Sequence, residues 1–397
     1  MSRFYLGCLM AMSAGVRLHA EVVFKEHVIN SEAGTGLAIA AADINHDGEL
    51  DIVGVSADDI AWYENPTWKR HLIANTIKNS NVCVAPHDLD GDGIPELALG
   101  ADWQFNNTKS GGSLFLLKSG TEVRSPWRVI PLLEVEPTLH RIRWADTDGD
   151  GAPELIVAPL KGRNSTPPYF QDTAARLFLL RPPADLLEPL SWKEEMISDD
   201  YLHVVHNIVA NSEAGAASDV ILTASYEGVT KFQRDNSGNW SHNNVVTGNP
   251  EQLPNIGTGE IKVSENRGGM ILTVEPWHGT NAVVYDAGQP RKRYVIDDAL
   301  AGGHAVAWAD FDGDGNDEAM VGFREKAGPK ALPGLNVYWI ADAGVDGLSF
   351  TKQIVDEGGM ATEDAVVADF TGDGKPDIAA FGRATHNIKL YENTGRK

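Results

Sequence analysis

Cysteine is almost missing from this 397-residue chain, which has only Cys8 and Cys83. A disulfide framework is therefore excluded. Cys83 lies in the apolar run Val82-Cys83-Val84 and reads as a core residue rather than a nucleophile. Positive charge is also scarce: 33 Lys and Arg stand against 56 Asp and Glu, a formal net charge of −23. Such a surface repels polyanions, so nucleic acid and anionic membrane are excluded as partners. No internal apolar run approaches the roughly 18 residues that a membrane span requires. No HExxH-type spacing marks a local metal site.

The N-terminus reads as an export signal. Arg3 supplies a short positive region, Phe4 to Val16 carries no charge, and Leu18-His19-Ala20 offers a small residue at a cleavage point before Glu21. The expectation is a signal over residues 1–20, a mature domain over 21–397, and a secreted or periplasmic location. Too little apolar sequence precedes Cys8 to suggest a lipoprotein.

What the chain does have is an acidic repeat. The segments begin at Asp43, Asp88, Asp146, Asp310 and Asp369. Oxygen donors recur at the first, third, fifth and ninth places. They are Asp43, Asn45, Asp47 and Asp51; Asp88, Asp90, Asp92 and Glu96; Asp146, Asp148, Asp150 and Glu154; Asp310, Asp312, Asp314 and Glu318; and Asp369, Thr371, Asp373 and Asp377. Glycine stands at the sixth place, where a compact loop must turn sharply. Several oxygens on one short loop suit a hard cation, hence up to five structural Ca²⁺ ions. The flanks are strand-like rather than helical, for example Ala38–Ala42 before the first loop and Ile52–Val55 after it. Each loop is therefore a β-hairpin turn and not an EF-hand.

Spacing sets the number of units. The first Asp residues are 45, 58, 164 and 59 residues apart in turn. The long gap holds two diverged units, expected at Val204–Thr223, with Asn211 in the first-ligand place, and at Gly259–Val274. Neither keeps enough carboxylates for a metal. Each unit continues with an aromatic third strand and a fourth strand introduced by Trp68, Trp127 or Trp192. Four antiparallel strands at this period make a propeller blade. The fold expected is all-β, a seven-bladed β-propeller with Asp-rich calcium turns. Val22–Ile29 resembles a fourth strand placed ahead of the first blade, so the N-terminal strand should close the ring.

The acidic turns then share one face, and the other face should carry any active site. There the inner-strand entries supply His140, His203, His206, His304 and Glu363. The loops after the second strands supply Trp103, Lys161, Arg163, Tyr169, Tyr226, Glu227, Trp277, His278, Arg324, Arg383 and His386. His140 and His304 each stand six residues before their first Asp, and His203 eight before Asn211. His140, His203, His278 and His304 form the expected convergent set, able to hold Zn²⁺ or a similar ion as neutral imidazoles. The loop Gly162–Asp172 and the insertion Lys326–Pro333 should build pocket walls. Trp103, Tyr169, Tyr226 and Trp277 could stack on sugar rings. Arg163, Glu227, Arg383 and His386 complete the expected substrate contacts.

The Asp-rich repeats resemble the FG-GAP/VCBS class of calcium-binding propellers. Glu275-Pro276-Trp277-His278-Gly279, Gly302-Gly303-His304-Ala305, Gly322-Phe323-Arg324 and Thr385 to Asn393 resemble the propeller domain of the aldos-2-ulose dehydratases (1,5-anhydro-fructose dehydratases). That resemblance implies dehydration of keto-sugars with a metal ion at the propeller cleft. The cupin domains of those enzymes have no counterpart in the 397 residues, so it extends to the dehydration half alone. The leading expectation is a secreted carbohydrate lyase or dehydratase catalysing β-elimination on a keto-sugar or keto-glycoside. His140, His203, Tyr226, His278, His304, Lys161 and Arg324 are its candidate catalytic residues, the first five as base, acid or ligand and the cations as enolate stabilisers. A polysaccharide lyase or glycoside hydrolase acting on uronate-containing glycans, and a non-enzymatic glycan- or protein-binding propeller, are the alternatives.

Overall fold

The computed structural model describes residues 21–397 except 76, 78–79, 213–215, 217, 326–331 and 345–346. The expected signal, with Cys8, and most of the Lys326–Pro333 insertion lie outside the described residues. The described residues form seven four-stranded antiparallel sheets and one two-stranded hairpin, Asn249–Pro250 with Ile256–Gly257. Among the described residues there is no α-helix. This is a seven-bladed β-propeller. The inner strands are Gly36–Ala42, Cys83–His87, Leu139–Ala145, Asn207–Asn211, Glu260–Val263, Gly303–Ala309 and Thr362–Ala368. The two diverged units are thus the fourth and fifth blades.

Second strands are buried on both faces. Asp51–Ser56, Glu96–Ala101 and Glu154–Pro159 contain no exposed residue. A sheet sandwiched between two neighbours gains nothing from polar alternation, which is why these strands read as continuous apolar runs. Between the first and second blades Val53, Val55, Trp62, Leu97, Leu99 and Leu117 form one such core. Ile52, Tyr63, Phe381, Ile388 and Leu390 form the equivalent core between the first and seventh. Glycine is required at that seam: a Cβ on Gly36 would meet the Phe381 ring at 2.4 Å. Outer strands face water and turn polar, as in Trp240–Val246.

The seventh sheet is completed from the other end of the chain. Val22–Asn30 pairs antiparallel with Ile388–Arg396, from Val22 opposite Arg396 to Asn30 opposite Ile388. Val22 is 1% exposed and packs with Val337, Ile378 and Tyr391. Deleting residues 21–29 is expected to uncover the edge of Ile388–Arg396 and to give aggregation or failed folding. A soluble, monodisperse truncation with an unchanged melting temperature, measured by light scattering and calorimetry, would refute that role for the strand.

The five acidic hairpins share one bonding scheme. The first carboxylate accepts the N–H of the sixth-place glycine, as in Gly48 to Asp43 at 2.9 Å and Gly315 to Asp310 at 2.8 Å. The ninth carboxylate turns inward and accepts the N–H of the second residue: Ile44 to Asp51 at 2.9 Å, Leu89 to Glu96 at 2.9 Å and Phe311 to Glu318 at 3.0 Å. The sixth-place glycines have φ from 81° to 90°, a region that other residues rarely occupy.

Candidate active site

A single register position builds the floor of the site. Counting six residues back from the first residue of each turn gives Leu37, Val82, His140, His206, Thr258, His304 and Glu363 around the seven blades. All but Thr258 line one cavity of about 250 Å³, together with Trp103, Phe105, Trp277, His278, Arg324 and Arg383. In four blades this residue is a β-bulge. Strand pairing skips Leu37, His140, His304 and Glu363 while continuing on either side. The extra residue re-aims its side chain, which explains how His140 and Arg141, neighbours in sequence, both line the cavity.

Three imidazoles meet there. The ring nitrogens of His206, His278 and His304 come within 4.8 Å of one another. His278 Nε2 lies 2.9 Å from His206 Nε2. His206 Nδ1 lies 2.8 Å from the carbonyl of Gly259 and 2.9 Å from Glu260 Oε1, so its proton points away from the cluster and its Nε2 carries a lone pair. His304 Nδ1 is likewise committed to the carbonyl of Glu363. Burial holds all three rings, and His140 with them, well below the ordinary histidine range. The Arg141 guanidinium pushes the same way on all four, and Arg324 on His206, His278 and His304. His206 and His304, neutral and anchored through the second nitrogen, present the arrangement that a divalent metal takes, and His278 adds a third ring nitrogen to the group. His278 itself occupies a left-handed backbone conformation, φ 51°, just after Trp277.

Around the cluster stand a charged triad and several unpartnered groups. Glu363, 3% exposed, bonds Arg324 through one oxygen and Arg383 through the other at 2.6 Å. Arg324 Nη2 also reaches His278 Nδ1 at 3.3 Å. His140 Nδ1, Trp103 Nε1 and Trp277 Nε1 are buried with no hydrogen-bond partner. Three orphaned polar atoms in one cavity wall are what a polar ligand would satisfy.

The grouping differs from the sequence expectation at several residues. His203 is not in the cluster; its Nδ1 meets Glu227 Oε1 at 2.8 Å, and Glu227 also holds the His203 N–H. His206 takes the place expected of it. Lys161 is not a free cation at the reacting centre. It is 1% exposed, donates to the Phe105 carbonyl at 2.7 Å, and lies between the Phe105 and Phe170 rings, 3.7 Å from each centroid. Burial pushes its pKa down to about 8. Arg163 is held by Glu136 at 3.1 Å. Tyr169 is 41% exposed and, like the exposed His386, lines neither this cavity nor the one beyond it. Tyr226 lines that outer cavity rather than the histidine cavity. Cys83 is buried in the core, and burial raises its thiol to about 11, consistent with an inert residue.

Comparison with known proteins places these features. The family model described as the aldos-2-ulose dehydratase β-propeller domain matches residues 111–287, and an FG-GAP-like repeat matches residues 43–99. Aldos-2-ulose dehydratase of Phanerodontia chrysosporium is 26% identical over 236 residues, covering 53% of this chain and 25% of that protein. The chain thus spans about a quarter of this relative's length, and part of it is related to the propeller of a sugar dehydratase. The matched segment holds His140, His206, Trp277 and His278. His304, Arg324, Glu363 and Arg383 lie beyond it. Among solved structures, the WD40 β-propeller domain of Doa1 (TM-score 0.56, 8% identity, 94% of this chain and 97% of that one) and BBS1N in complex with ARL6DN (0.54, 12%, 94% and 99%) share the fold.

Proposed function

We propose that this protein is a secreted carbon–oxygen lyase that removes water or an alcohol from a keto-sugar by β-elimination. The observation that carries this reading is the convergence, in one small cavity, of three neutral imidazoles, an Arg–Glu–Arg triad and unpartnered polar atoms. The related sequence of a sugar dehydratase supports it. His206, His278 and His304 would hold a divalent ion such as Zn²⁺, which when bound would polarise a substrate carbonyl. His140 Nδ1 is the free acceptor for the proton on the carbon next to that carbonyl. The C–H pair then forms the C=C bond as the β C–O bond breaks. The His140 imidazolium returns its proton to the departing oxygen, so the ring ends neutral and the leaving group departs as water or alcohol. Arg324 and Arg383, fixed by Glu363, stabilise the developing enolate, and Trp103 and Trp277 can donate to sugar hydroxyls. The uronate reading has less support, because Lys161, Arg163 and Arg324 each have another partner and do not converge.

The test is purified protein assayed with keto-sugars for the rise of enone absorbance, alongside metal analysis. Turnover with stoichiometric transition metal is expected. Glycan binding with no enone formed from any keto-sugar by metal-replete protein would leave a binding propeller instead.

The acidic turns we propose as structural Ca²⁺ sites, on their shared oxygen geometry. They are not equivalent. The residue after the partner of Ile52, Leu97, Leu155 and Ile378 is Glu64, Lys118, Arg181 and Glu392 respectively. Lys118 bonds Asp90 at 2.8 Å and Glu96, and Arg181 bonds Asp148 at 2.8 Å and Glu154. The second and third turns therefore carry a cation of their own. The turn of the sixth blade is met by Arg396, 2.8 Å from Asp312, and that of the seventh by Lys375 at Asp373. Among the described residues only the first turn has no Lys or Arg paired with its carboxylates, so dependence on calcium should be strongest there.

A further inference from the structure

A second cavity of about 600 Å³ opens beyond the first. Phe105, Trp277 and His278 line both, so the two chambers adjoin at a waist formed by these side chains. The outer chamber is of a different chemical kind. Pro167, Pro168, Phe170, Tyr226 and Pro254 wall it, and no Asp, Glu, Lys or Arg does. The inner chamber, by contrast, holds Arg141, Arg324, Arg383 and Glu363. In a chain of net charge −23 an uncharged, proline- and aromatic-lined chamber is a selected surface rather than an average one.

Its walls are pre-organised. Lys161 joins Phe105 to Phe170 by two cation–π contacts and a hydrogen bond. Thr108 Oγ1 donates to the Ser165 carbonyl at 2.8 Å, tying the loop of the second blade to that of the third. Phe105 stacks on Trp277 at 5.7 Å between centroids, yet 39% of Phe105 remains exposed. The hairpin Asn249–Pro250 with Ile256–Gly257 brackets Pro254. Stiff aromatic and proline surfaces suit the apolar face of a neutral ring.

Resting on the lyase reading, we propose that the substrate is a neutral keto-glycoside of two rings. The keto ring occupies the histidine chamber and the second ring the outer chamber. The bond that joins them then lies at the waist, beside His278. The second ring is the leaving group. The C–H proton passes to His140, the C=C bond forms, the glycosidic C–O bond breaks, and its oxygen takes the proton and departs as the alcohol of the second ring. No oxidant or other co-reactant is consumed.

The experiment compares one keto ring in three forms: the free keto-hexose, a neutral keto-disaccharide and an aryl keto-glycoside. The expected result is a kcat/KM at least tenfold higher for a two-ring form, the arms showing whether sugar or aryl is preferred. Asn255→Trp, placed in the outer wall, should cut that ratio at least fivefold. Equal kcat/KM for free and two-ring forms, or a ratio that Asn255→Trp does not change, would overturn the proposal while leaving the lyase reading intact. If no form is turned over, the lyase reading fails. Binding of an unreactive neutral disaccharide, followed by tryptophan fluorescence, then decides the chamber's role: binding weakened by Asn255→Trp supports it, and absent binding removes it.

Discussion

His206→Ala is expected to lower turnover of a keto-sugar by roughly 10²- to 10⁴-fold, while His203→Ala stays within about threefold of the unaltered protein. The reasoning is geometric. His206 offers a lone pair to the cavity and is anchored behind by Gly259 and Glu260. His203 spends its Nδ1 on Glu227. His206→Ala should also lower transition-metal content, whereas His140→Ala should lower turnover and leave the metal in place. Metal content by plasma spectrometry, read beside the melting temperature of each variant, separates loss of the site from loss of the fold. A silent His206→Ala with a damaging His203→Ala would move the site away from this cavity.

That contrast shows what the sequence could and could not reveal. The blade count was legible because the acidic turns repeat in register and the 164 residues between Asp146 and Asp310 divide into three steps of about blade length, leaving room for two further units. In the fourth blade the acidic signal is gone, and Asn211 stood in for the first turn residue. The structure pairs Asn211 with Val220 as it pairs Ala145 with Glu154, so Ser212 holds that place. Six residues back from Ser212 is His206, matching His140 and His304. One residue of slip in a strand exchanges one face for the other, and it was enough to select His203. Glu363 satisfies the same six-residue rule from Asp369; the sequence placed it on the active face but gave it no role. The bulges had no signal, because an extra strand residue leaves the surrounding pattern intact. Lys161 looked like a cation on the active face, and only the packing of Phe105 and Phe170 around it shows a wall residue. Phe105 was missed because Trp103, two residues earlier in the same polar loop, was given the aromatic role.

Removal of calcium is expected to reverse how stability depends on pH. With the turns stripped by a calcium-selective chelator, burial pushes Asp51 up to about 7. Burial, with the Asp312 charge beside it, pushes Glu318 up to about 8. Both values lie above those of an unfolded carboxylate. The folded state therefore binds more protons than the unfolded one across neutral pH, and stability falls as pH rises through 7 and 8. The buried histidines are displaced downward and weaken the fold only below their unfolded value near 6.5. Glu260, pushed up to about 7, and Lys161 and Lys262, pushed down to about 8, also respond in the window between about pH 6.5 and about 8.5. They lie away from the turns, so the difference between stripped and calcium-loaded protein in that window isolates Asp51 and Glu318. Each extra proton held by the folded state is worth about 1.4 kcal/mol per pH unit, so across this window the two groups together amount to a few kcal/mol. Calcium favours the ionised forms and binds the native state, which should abolish the decline and raise the melting temperature at pH 8.5 by several degrees. Asp47→Ala, in the first turn, should lose much of that response, because among the described residues no Lys or Arg pairs with the carboxylates there. Asp92→Ala should keep most of it, because Lys118 already neutralises the second turn. Scanning calorimetry at the two ends of the window, with chelator and with calcium restored, makes the measurement. Superimposable melting at pH 8.5 in both conditions would remove calcium from the turns. An equal loss in both variants would remove the special role of Lys118.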